Sequence, residues 1–132
     1  MHKYKDLKVW QKAVELTKLI YQITRSFPAE EKFGLTNQIR RASVSIPSNI
    51  AEGAGRNSSK EFIQFIAIAT GSCYEVETQL IIAIELKYTE AAEEIFTLIE
   101  EIQKMLFSFS NKLKEQNLYG VVSILNTNIS IL

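Results

Sequence analysis

The sequence predicts an all-α fold, an up-and-down bundle of four helices. Three observations carry this. Apolar residues recur at alternating spacings of three and four in four separate stretches, which places them on one helix face. Breakers and caps divide the stretches: Phe27-Pro28, then Gly53-Ala54-Gly55 with Ser58-Ser59, then Thr89. No stretch alternates convincingly as a strand.

The first helix is predicted over about residues 7–26. Val9, Ala13, Leu16, Ile20 and Ile23 form its seam, and Leu7, Trp10, Val14 and Leu19 widen the apolar face. Lys5, Lys8 and Lys12 fall together on another face at about 100° per residue. That face is a solvated one by default, with phosphate contact as the alternative. Phe27-Pro28 ends the helix, because a residue before proline is pushed out of the helical region.

The second helix, about residues 34–54, carries the most unusual stretch. Leu35, Ile39, Ala42, Ile46, Ile50 and Gly53 share its core face. Arg41, Ser45, Asn49, Glu52 and Arg56 make a polar stripe beside it. Pro47 lacks an N–H and crowds the Ser43 carbonyl, which predicts a kink or an added turn. Ser43 and Ser48 are placed to bond the freed backbone groups.

The third helix, about residues 60–87, is expected to be capped by Ser58 or Ser59 with Glu61 in its first turn. Phe62, Ile66, Ala69, Cys73, Val76, Leu80 and Ala83 form a seam of three heptads. Ile63, Phe65, Ile68, Ile81, Ile82, Ile84 and Leu86 lie off it, so the helix is apolar on more than one face. Such a helix needs a second partner, and a subunit interface supplies one. Gly71 costs about 1 kcal/mol relative to Ala, which suggests close helix contact.

Thr89 is the expected cap of the fourth helix, about residues 90–115, with Glu90, Glu93 and Glu94 in its opening turns. Ala91, Ile95, Leu98, Ile102, Met105, Phe109 and Leu113 form its seam, with Phe96, Ile99 and Leu106 in a second row. Residues 1–115 thus make one domain. Asn117-Leu118-Tyr119-Gly120 reads as a stop, and residues 116–132 as an apolar tail of open structure. That tail could pack on its own bundle, cross to another subunit, or dock on a partner.

The composition fits a single globular domain. Hydrophobic residues are 46% and charged residues 23%, too apolar for a disordered chain. The formal net charge is zero. Residues 1–57 carry ten Lys/Arg against five Asp/Glu, a net of +5, and residues 58–132 five against ten, a net of −5. Either a basic face results, or basic and acidic helices pair within the assembly. One cysteine excludes an internal disulfide. No signal-peptide run opens the chain, and no apolar stretch nears the ~18 residues of a membrane span. A cytoplasmic location without membrane attachment is the expectation.

No catalytic constellation emerges. The single histidine, His2, is near the terminus, so His-based acid–base chemistry and Glu-x-x-His di-iron sites are not expected. Cys73 sits on a core seam and reads as a buried side chain. The chain is therefore expected to be no enzyme and to need no cofactor or metal. The polar stripe allows two readings. Arg41, Ser45, Asn49, Glu52 and Arg56 can form an inter-helix or inter-subunit hydrogen-bond network. Alternatively Arg40, Arg41, Arg56 and Lys60 contact phosphate, with Asn49 positioning them.

Arg40-Arg41-Ala42, Ser45-Ile46-Pro47-Ser48-Asn49-Ile50-Ala51-Glu52-Gly53 and Arg56 resemble the signature of the small four-helix-bundle proteins encoded in intervening sequences of bacterial 23S rRNA genes. Tyr4-Lys5-Asp6-Leu7-Lys8-Val9-Trp10-Gln11-Lys12-Ala13 resembles the opening segment of that family. The resemblance runs from about Tyr4 to about Lys114. The accessory variability determinant of diversity-generating retroelements shares the fold. The resemblance implies a homo-oligomeric ring, with five subunits favoured, and a non-catalytic protein that binds structured RNA or a nucleic-acid enzyme. The alternative is a protein–protein scaffold ring with no nucleic-acid role.

Overall fold

The computed structural model describes residues 3–90 and 92–131, with side chains described as far as Leu118 except at residue 91. Four helices follow one another: α1, Lys8–Ile23; α2, Leu35–Ala54; α3, Ser59–Glu85; and α4, Glu93–Ile131. Short 3-10 turns occupy Tyr4–Asp6, Thr24–Ser26 and Ala29–Glu31. No strand occurs among the described residues. Each helix packs on the next, and α1 also packs on α4, which closes a four-helix bundle.

The seams meet in one core. Val9, Ala13, Leu16 and Ile20 of α1 face Ile39, Ala42, Ile46 and Ile50 of α2 and the whole predicted α3 seam from Phe62 to Ala83. From α4, Ile95, Leu98, Ile99, Ile102, Leu106 and Leu113 complete it. On α4 the second row reaches deeper than expected: Ile99 and Leu106 are fully buried, while Met105 and Phe109 are half-buried. At about 25 cal/mol per Å² of apolar surface, this shared core is the main favourable term in folding.

Helix ends show how local chemistry sets the boundaries. Ser58 caps α3: the Glu61 N–H donates to Ser58 Oγ at 3.2 Å, and the Ser58 hydroxyl donates to Glu61 Oε2 at 3.3 Å. Glu31 serves α2 from the preceding turn, its Oε1 accepting from the Leu35 N–H at 3.3 Å. Beyond α3, Lys87 adopts φ 62°. The Lys87 N–H donates to the Ile84 carbonyl and the Tyr88 N–H to the Ala83 carbonyl, each at 2.9 Å. Those two bonds are a Schellman motif built on lysine rather than glycine. Helix α4 then starts at Glu93 rather than residue 90, so Thr89 does not cap it; the Ala92 carbonyl accepts its first helical bond, from Phe96.

Two further expectations are corrected, those for Gly71 and for the stop at Asn117–Gly120. Pro47 lies inside α2, which is one continuous helix. The carbonyl it frees, on fully buried Ser43, accepts instead from Thr17 Oγ1 of α1 at 2.9 Å. Ser43 itself turns back to the Arg40 carbonyl at 2.8 Å. Gly71 makes no close contact in its own chain, since a Cβ there would meet nothing within 4 Å. Close helix contact is made at Gly53, where a Cβ would lie 2.7 Å from both Phe62 Cδ1 and Phe65 Cβ. Finally, the expected stop at Asn117–Gly120 is not one: α4 continues through it to Ile131. The side chains of 119–132, and His2, lie outside the described residues.

The outer side of α3 is mixed, with exposed apolar residues set among Glu75, Thr78 and Glu85. Ile68, Ile81, Ile82 and Leu86 are exposed, with Tyr74 among them. No helix of the described residues is long and apolar enough to cross a membrane.

Candidate nucleic-acid interface

The α2 stripe separates into parts with different roles. Asn49 Nδ2 donates to the Ser45 carbonyl at 2.8 Å and to Ser45 Oγ at 2.9 Å. Ser45 Oγ and Ser72 Oγ lie 2.9 Å apart and share a hydrogen bond between α2 and α3. That is a small inter-helix network of neutral groups, and it engages half-buried Asn49 within the chain. Glu52 and Arg56 pair with each other at 3.1 Å, and the Arg56 guanidinium stacks 4.9 Å from the Phe65 ring centroid.

Arg40 is a packing residue. Its Nε donates to Thr24 Oγ1 at 2.8 Å and its terminal nitrogen to the Tyr21 carbonyl at 3.4 Å, with the guanidinium 4.7 Å from the Tyr21 ring centroid. A cation over these last carbonyls of α1 complements the helix dipole. Neighbouring Arg41 is exposed, with no hydrogen bond or ion pair among the described residues. It lines a cleft of about 340 Å³ between α2 and α3, together with Asn37, Gln38, Ser45, Ser72, Glu75 and Gln79. The Gln79 Oε1 atom is buried without a hydrogen-bond partner among the described residues.

Lys60 opens α3 and is exposed without an ion pair among the described residues. It stands two residues before Phe62, whose ring packs 5.1 Å from Phe109 of α4. The same end of the bundle holds the start of α1. A hollow of about 420 Å³ is lined there by Asp6, Leu7, Lys8, Val9, Lys104, Met105, Ser108, Phe109 and Lys112. Lys5, Lys8, Arg56, Lys60, Lys104 and Lys112 therefore converge on one end. The acidic groups beside them are engaged in part: Glu52 with Arg56, Glu61 with Ser58, and Glu100 with Lys104 at 3.0 Å.

The opposite end is acidic. Glu30, Glu31, Glu85, Glu90, Glu93 and Glu94 gather there around Arg25, Lys32 and Lys87. Phe27 and Tyr88 pack ring to ring at 5.8 Å, and the Tyr88 hydroxyl donates to Glu31 Oε2 at 3.0 Å. That bond, with partial burial, raises the Tyr88 pKa above the ordinary tyrosine value. A molecule of zero net charge thus carries a charge gradient along its axis. Splitting the sequence in half misses this, because the basic end is assembled from α1, α3 and α4 together.

Cys73 is fully buried, and desolvation, helped by the charge of Glu77, pushes its thiol up to about 12. Among the described residues no group of His, Cys, Asp and Glu could hold a metal ion.

The fold and its neutral inter-helix network define a class: a small all-α bundle whose chemistry-bearing side chains lie on its surface. Residues 5–108 match the family model of the 23S rRNA-intervening sequence protein, and the chain belongs to that family. Among solved structures it is similar to a protein of unknown function from the S23 ribosomal protein family of Bacteroides thetaiotaomicron. The identity is 29%, the match covers 77% of this chain and 97% of that one, and the TM-score is 0.69. No curated protein matches the chain.

Proposed function

We propose that the protein is a non-catalytic, homo-oligomeric binding protein that takes structured RNA at the basic end of its bundle. The observation that carries this is the convergence of Lys8, Lys60 and Lys112 on that end without ion pairs among the described residues. Phosphate contact requires positive charge within reach, not a shaped pocket, and supplies most of non-specific affinity. The family's name sets its members beside an rRNA intervening sequence, which favours RNA as the nucleic acid. Of the candidate phosphate-contact residues around α2, Arg41 remains available to a ligand, whereas Arg40, Asn49 and Arg56 are engaged within the chain.

Self-association is supported by the exposed apolar residues Ile68, Ile82 and Leu86 on the outer side of α3. A ring, with five subunits favoured by the family resemblance, would array one basic end per subunit and multiply a modest patch. A second reading rests on the same exposed residues: a cytoplasmic scaffold ring that recruits a protein, such as a nucleic-acid enzyme, and touches no RNA itself.

Fluorescence anisotropy of a labelled structured RNA, titrated at several salt concentrations, separates the two. The RNA reading expects affinity that falls linearly on a log–log plot, by roughly 0.7–0.9 per phosphate contact. Absence of binding at low salt would overturn it and leave the scaffold.

A further inference from the structure

The hollow at the basic end differs from an ordinary lysine face. Phosphate contact needs charge within reach, and a convex solvated surface supplies that without any concavity. Here the start of α1 and one face of α4 enclose about 420 Å³, within the range of small-molecule pockets. On α4, Met105, Ser108, Phe109 and Lys112 recur at three, one and three, so a single helix face supplies that wall. Leu7, Lys8 and Val9 supply the other.

Wall and rim differ in chemistry. Val9 is buried, and Leu7, Met105 and Phe109 are half-buried against the core. Phe109 is held in place by Phe62, ring to ring at 5.1 Å. The Met105 thioether is polarizable and adapts to the face of a flat ring. Lys8 and Lys112 are exposed, one on each wall, without ion pairs among the described residues. Lys104, also at the rim, is paired with Glu100. Asp6 brings a carboxylate, which repels phosphate and accepts from an amino group.

We propose that this hollow takes an unpaired base from a loop or bulge of RNA, with Lys8 and Lys112 holding the phosphates on either side of it. An apolar floor between two unpaired cations complements a flat ring that carries an anion on each flank. A base stacked and paired within a duplex keeps its faces against its neighbours and cannot enter, whereas an unstacked one can. The inference rests on the RNA reading above and narrows it to RNA with an unpaired base.

Two labelled hairpins test it. They are identical except that one carries a bulged adenosine and the other has a uridine paired with that base. Fluorescence anisotropy is expected to favour the bulged hairpin by about 5- to 100-fold, the range that stacking one base supplies. With 2-aminopurine as the bulged base, binding shields it from acrylamide quenching. Ser108→Leu places an aliphatic group in the hollow at an exposed position and changes no charge. It should bring the two affinities together while the salt slope and the helical circular dichroism stay at wild-type values. Equal affinities of the wild type for both hairpins, with a normal salt slope, would overturn this inference and leave the RNA reading standing. Failure of both hairpins to bind at low salt would remove the RNA reading and the inference with it. A bulge preference that survives Ser108→Leu places the base elsewhere and overturns the assignment. A loss of assembly mass in Ser108→Leu would make the hollow a subunit contact. Sedimentation with phosphatidylglycerol vesicles that Ser108→Leu abolishes would make it a lipid site. Either result overturns the proposal.

Discussion

Replacing Thr17 by valine tests how α2 accommodates its internal proline. Pro47 removes the N–H that would bond the Ser43 carbonyl, and Ser43 is fully buried. The Thr17 hydroxyl, 2.9 Å from that carbonyl and 3.0 Å from its own Ala13 carbonyl, is its donor. Valine keeps the shape and deletes the donor. The loss is that of a buried acceptor left without a partner, about 1–3 kcal/mol. In a Pro47→Ala background the backbone N–H restored at position 47 bonds the Ser43 carbonyl through the helix ladder. There Thr17→Val costs about 0.5 kcal/mol, so the pair couples by about 0.5–2.5 kcal/mol. Urea unfolding followed by circular dichroism, with all four variants at one protein concentration, measures the cycle. Equal costs of Thr17→Val in both backgrounds would refute the reasoning.

Three other outcomes follow from single residues. Gly53→Ala forces a Cβ to 2.7 Å from Phe62 and Phe65, so unfolding midpoints in urea should fall by the equivalent of about 1–3 kcal/mol. Lys87→Gly relieves a left-handed residue at φ 62° and raises stability by about 1 kcal/mol in the same assay, the sign opposite to that of an ordinary glycine substitution. The Cys73 thiol, pushed up to about 12, remains silent to a thiol reagent at pH 8 until urea unfolds the chain. Because its folded pKa is raised from 9.0, its contribution to stability is full below about pH 9 and is lost as pH rises toward 12, and alkaline unfolding curves of Cys73→Ala lack that component.

Local signals were legible in the sequence where one element decides them. The α3 seam from Phe62 to Ala83, the Ser58 cap and the end of α1 before Pro28 rest on spacing and on side chains a few residues apart. Contacts between elements were not. Thr17 looks like any helical threonine until α2 crosses it, and Arg40 looks as free as Arg41 until Tyr21 and Thr24 come beside it. Lys8, Lys60 and Lys112 are far apart in the chain, and only the up-and-down path sets them at one end. The fourth helix misled in another way. Gly120 and the β-branched residues after it have low helix propensity, yet the helix continues through them, as propensity alone is a weak constraint.

The most direct test of the account sets the basic end against the α2 stripe. Salt-dependent RNA anisotropy is measured for Lys8→Ala/Lys60→Ala/Lys112→Ala and, separately, for Arg41→Ala. The account predicts that the triple variant flattens the log–log slope by about two to three units and that Arg41→Ala lowers it by at most about one. A triple variant with the wild-type slope and an intact bundle would contradict the claim that this end holds the phosphates.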